Sequence, residues 1–159
     1  VEYPNVFADG VSVRYTPTFG GYKEDIILNE NVGMNRFTFK LTTNGLSLVQ
    51  AATGNYYLVE PLTGECVTAL GNVVVYDDTG AESEGYYHNY DVTTVTADQQ
   101  YLVTVIVDER YLESEDTVYP VYVDPTLEVM PKGEVEDAAL YSNSSETAYS
   151  GEIKIGYAS

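Results

Sequence analysis

Residues 101–126, YLVTVIVDERYLESEDTVYPVYVDPT, constrain the fold more than any other stretch. Residues 101–107 are β-branched or aromatic on both alternating faces, which suits a central strand covered on two sides. Asp108 and Glu109 then open a short helical turn that plants Tyr111 and Leu112. Residues 119–123 form the next strand, with Tyr119, Val121 and Val123 sharing a face. Pro120 has no N–H for a ladder, so this strand begins at a sheet edge or with that donor position free. Asp124-Pro125 is expected to end it, because the residue before proline is held extended and proline cannot continue the pairing.

The remaining chain has the same grain. Residues 11–16 (VSVRYT) alternate as a half-buried strand does, and 22–28 (YKEDIIL) form another after the loop 17–21. Phe37, Phe39 and Leu41 alternate with Thr38, Lys40 and Thr42 ahead of Asn44-Gly45, a pair suited to a two-residue hairpin turn. That hairpin would set Thr43 opposite Leu46 and Leu41 opposite Leu48. Short runs follow at 56–59, 65–70 and 73–76, then an acidic surface loop at 77–85 (DDTGAESEG). Residues 86–96 and 101–107 read as an antiparallel pair around the turn 97–100. No window keeps a 3.6-residue apolar period, and about ten short strands at this spacing predict an all-β fold, an antiparallel β-sandwich. Residues 1–126 are the sandwich module and 127–136 a linker. Residues 137–159 read as a strand-rich C-terminal extension, either the start of a second β module or a strand-donating tail. Whether that tail is held by its own sandwich or by another chain is left open by the sequence.

Composition decides which partners to expect. Of 159 residues, 44% are apolar, enough for a core. Seven Lys+Arg against 25 Asp+Glu give a net charge of −18, which repels phosphate backbones and anionic lipid; neither nucleic acid nor membrane insertion is expected. Cys66 is alone and lacks the company of a metal cluster. There is no apolar run of roughly 18 residues and no basic leader at Val1, and a start without Met reads as a mature or excised segment.

Few residues stand out for chemistry. His88, the one histidine, has no evident nucleophile or partner base, and its plainer reading is a half-exposed strand residue. With 25 acids, no carboxylate pair can be nominated from spacing. Asp77, Asp78, Glu82 and Glu84 offer oxygen ligands suited to calcium, the one cofactor considered, against the plainer reading of a solvated acidic loop. Tyr56, Tyr57, Tyr86, Tyr87 and Tyr90 offer flat rings for a sugar face, against ordinary cross-strand packing.

The wording of several segments resembles a module of large secreted and wall-associated proteins of Gram-positive bacteria. The resemblance is carried by the opening NVFADGVSVRYTPTFGGYKEDIIL, by YLVTVIVD with the YL turn after it, and by the ending YPVYVDPT. In that setting the next module is of the DNRLRE type, and residues 137–156 look like its opening strands. The resemblance implies a secreted or cell-surface, multi-modular context. The function expected from the sequence is therefore a non-catalytic structural or adhesive β-module, associating by strand addition with other copies or with neighbouring β modules. The competing readings are a carbohydrate-binding module contacting polysaccharide and a fragment of a glycan-active enzyme.

Overall fold

The computed structural model describes residues 1–18, 21–129, 139–141 and 152–154. The alternating segments pair into two sheets. The first runs β1 (Glu2–Ala8), β2 (Val11–Thr18), β3 (Gly21–Leu28), β10 (Val121–Val129), β7 (Cys66–Tyr76), β6 (Tyr56–Val59) and β5 (Ser47–Gln50) from edge to edge. The second runs β11 (Ala139–Tyr141), β12 (Glu152–Lys154), β4 (Arg36–Thr42), β9 (Gln100–Ile106) and β8 (Asn89–Thr96). Neighbours are antiparallel except β12 and β4, which pair in parallel. The expected all-β sandwich is the fold.

The inward faces of the two sheets make the core. Val11, Ile26, Leu28, Val75, Val121 and Val123 from the first sheet meet Phe37, Phe39 and Val105 from the second in one buried cluster. Phe7 sits edge-on against both phenylalanines at 5.2 and 5.3 Å, within the range where aromatic pairs add to their area of burial. Leu41, Leu46, Leu58, Tyr101 and Val103 make a second cluster. The turn after β9 is α1 (Glu109–Leu112), capped by the Asp108 carboxylate, which accepts the Arg110 N–H; it buries Tyr111 and Leu112 as the sequence led one to expect. The Tyr119 hydroxyl closes on the Leu112 carbonyl at 2.7 Å and holds the next strand to this turn.

Four local expectations are corrected. Asn44 and Gly45 do form the turn, with φ of 48° and 105°, but β4 and β5 do not pair. Leu41 pairs with Tyr101 in the second sheet and Leu48 with Leu58 in the first, so the turn is a crossover between layers. The β8–β9 turn holds it there: Gly45 N–H donates to the Asp98 carbonyl at 2.7 Å, and Leu48 N–H donates to the Tyr101 hydroxyl at 3.1 Å. Strand β9 is central, but its burial alternates: Tyr101, Val103 and Val105 are buried while Leu102, Thr104 and Ile106 are half-buried, so one face is the core and the other is not fully covered. The expected runs 65–70 and 73–76 merge into one strand, β7, which starts at Cys66 and passes through Gly71-Asn72. Strand β10 continues past Pro125 to Val129, because its ladder with β3 has ended at Val123–Ile26 and its register with β7 shifts between Pro125 and Leu127. Residues 127–129 of the expected linker are thus paired strand, and 130–136 lie outside the described residues. Of the C-terminal extension, β11 and β12 pair antiparallel and β12 pairs with β4 of the same chain; the rest of 137–159 lies outside the described residues.

Candidate functional site

Between β5–β7 and the first residues of β8 lies a groove of about 280 Å3. Thirteen residues line it and none carries Asp, Glu, Lys or Arg, in a chain where a fifth of residues are charged. Its lining includes Gly71 and Asn72, where a glycine in mid-strand removes a side chain. Residues 87–90 also line it, and the way they are held is specific.

The Asp108 carboxylate that caps α1 also accepts the Tyr87 N–H at 3.0 Å, and Arg110 binds it through two guanidinium nitrogens. These donors, Arg110 first, hold its carboxyl well below the usual range. Tyr87 is thereby fixed by its backbone while the residue stays 73% exposed. His88 is fixed through both ring nitrogens. The Asp108 N–H donates to Nδ1 at 3.0 Å, so the neutral ring carries its proton on Nε2, which lies 2.6 Å from the Ser83 oxygen. The Ser83 hydroxyl donates in turn to the Val75 carbonyl at 3.0 Å. Burial lowers the imidazole's pKa, only partly opposed by the Asp108 charge, so the ring is neutral near pH 7. With no free lone pair it forms a wall of the groove, unlike a general base, which needs one. Tyr90 lies between the two core clusters, and its buried hydroxyl has no partner among the described residues.

The five tyrosines proposed from sequence separate. Tyr56, Tyr87 and Tyr90 come together in the groove. Tyr57 does not, because it alternates with the buried Leu58 and Tyr56 and points to the other face of β6. Tyr86 packs edge-on against Tyr111 at 5.1 Å, with the Arg110 guanidinium over its ring. The groove adds amide residues the sequence reading passed over, Gln50, Asn55, Asn72 and Asn89, and takes in His88, which it had set aside. Gly71-Asn72 inside a run of strand-forming residues was the available signal.

The acidic loop is more ordered than expected. The Asp77 carboxylate is turned inward, accepting the Thr79 N–H at 2.9 Å and the Val118 N–H at 3.3 Å. Asp78 reaches the Tyr122 hydroxyl at 3.5 Å, while the Glu82 and Glu84 residues are exposed. Among the described residues, no three His, Cys, Asp or Glu are grouped so as to hold a metal ion.

A second set of titratable groups sits on β2 and β3. Burial raises the Glu24 carboxyl to about 7, against the Tyr15 hydroxyl that donates to it at 3.1 Å and with the charge of Asp25 adding to the rise. Strand alternation places Glu24 on the inward face with Ile26 and Leu28. Arg14, Lys23 and Asp25 are ion-paired on the opposite face, so the sheet separates the near-neutral carboxyl from the cations.

No family model matches the chain, and no solved structure matches it. The chain is similar to tRNA nuclease WapA of Bacillus subtilis strain 168 and to tRNA(Glu)-specific nuclease WapA of Bacillus subtilis subsp. natto, each 26% identical over 154 residues. It is also 25% identical over 154 residues to tRNA3(Ser)-specific nuclease WapA of Bacillus spizizenii. Each match covers 94% of this chain and 6% of the relative, so the chain spans about 6% of the length of the relatives it matches. These similarities overturn the expectation of a non-catalytic structural or adhesive module, its carbohydrate-binding and glycan-active alternatives, and a partner set without nucleic acid. The sequence reasoning failed for a physical reason. A charge of −18 and a missing catalytic signature describe these 159 residues, and neither bounds the partner or the chemistry of relatives many times longer.

Proposed function

We propose that this chain is a β-sandwich module of a nuclease that acts on tRNA. The observation that carries the reading is the similarity over 154 residues, 94% of the chain, to proteins named as tRNA nucleases. The chain's wording also supports a secreted or cell-surface setting for that nuclease, through the resemblance of its opening and ending segments to modules of wall-associated proteins. The test is cleavage. The polypeptide that carries this chain, incubated with total tRNA, is expected to yield discrete tRNA fragments, and a preparation that leaves every tRNA intact would overturn the reading. The 159-residue chain assayed in parallel reports whether the cutting chemistry lies within it.

A further inference from the structure

We propose that the groove between β5–β7 and β8 binds a nucleobase, taking it by its ring and edge with no contact to phosphate. This deepens the tRNA-nuclease reading and rests on it for the source of the base. Three observations carry it. Tyr87 is 73% exposed on a backbone clamped by Asp108, so its ring stands at a fixed place in the chain with most of the residue uncovered. An exposed, preorganised ring is what base stacking uses, and it is tolerant of which base arrives.

The second observation is the lining. It includes the amide residues Asn55, Asn72 and Asn89 and, among the described residues, no charged one. An amide carries donor and acceptor side by side, the pattern that pairs with a base edge and with adenine above all. A lining without cations offers a phosphate no counter-charge, and a net charge of −18 repels it. The third is Tyr90, which lines the groove and whose hydroxyl, buried against the core, has no partner among the described residues. The groove's volume of about 280 Å3 lies just below the range of about 300–1,000 Å3 usual for ligand pockets, which suits one base and excludes a helical stem.

The test is an amide-shift NMR titration of the 159-residue chain with the four uncharged nucleosides. Shifts should concentrate at Asn55, Asn72 and residues 87–90, with adenosine binding tightest. Tyr87→Ala, which removes an exposed ring and spares the core, should weaken adenosine at least about fivefold. Adenosine monophosphate should bind more weakly than adenosine, and added salt should narrow the difference by screening. Absence of groove shifts up to nucleoside solubility, unchanged binding by Tyr87→Ala, or equal shifts with glucose would each overturn the proposal. The two readings fail separately. Groove shifts with a parent polypeptide that cuts no tRNA would leave the base site standing and remove the nuclease; cutting without groove shifts would do the reverse.

Discussion

Glu24 and Tyr90 show how one buried polar atom changes what the fold tolerates. The Glu24 carboxyl is raised from 4.5 to about 7, chiefly by burial, so the folded chain holds its proton more tightly than the unfolded chain does. The stability this contributes is fully present below about pH 4.5 and is lost as pH rises towards 7, because over that window only the unfolded state gains the favourable ionised form. The full shift corresponds to about 3 kcal/mol. Glu24→Gln keeps an acceptor for the Tyr15 hydroxyl and removes the titration, so its urea midpoint should match the parent's near pH 4.5 and exceed it at about pH 8. Parallel pH profiles for the two proteins would refute this. Tyr90→Phe removes a buried hydroxyl that has no partner among the described residues, and an unmet group of this kind costs about 1–3 kcal/mol. The variant should unfold at equal or higher urea than the parent while binding adenosine more weakly. A clear loss of stability would mean that the hydroxyl is already satisfied within the fold.

The Asn44-Gly45 turn marks the line between what local sequence specifies and what it leaves open at the scale of elements. Gly45 stands at φ 105° and a side chain there would meet nothing within 4 Å, so Gly45→Ala should cost backbone strain alone, about 1–2 kcal/mol. Urea unfolding measures this, and a variant as stable as the parent would show that the turn relaxes at no cost. The turn itself was legible because its φ angles are local chemistry. Its pairing was not, because Leu41 and Leu48 meet Tyr101 and Leu58, partners far along the chain that alternation does not name. The β8–β9 pair was legible for the opposite reason: the turn joins strands that do pair. Of the candidate tyrosines, Tyr56 and Tyr57 differ by one position and hence by a whole face, so no composition argument separates them. His88 was seen and set aside as a strand residue, since its clamp by Asp108 and Ser83 spans a loop and a helix cap.

At the scale of the whole molecule, charge sets both stability and the manner of binding. With 25 acids against seven bases, carboxylates far outnumber the cations that could offset them, and folding brings like charges closer. Some cations are used locally: Arg14 and Lys23 both bind the buried Asp25, Lys23 also reaches Asp124, and their cationic groups lie over the Tyr122 and Tyr76 rings, which stack at 5.0 Å. Exposed pairs such as Arg36–Asp91 contribute little. Salt weakens attraction and repulsion alike, so the sign of its effect reports which dominates. Raising NaCl from about 20 mM to about 500 mM shortens the screening length from roughly 20 Å to about 4 Å, which removes the long-range repulsion while the partly buried Asp25 pairs are screened less. The urea midpoint should therefore rise with NaCl, and lowering the pH towards the isoelectric point near 4.1 should reduce that rise because the carboxylates lose their charge. A midpoint that falls with salt would mean that ion pairs outweigh the excess of 18 negative charges. It would also remove the electrostatic reason for a base-first contact with RNA, since that contact is argued from a surface that repels phosphate.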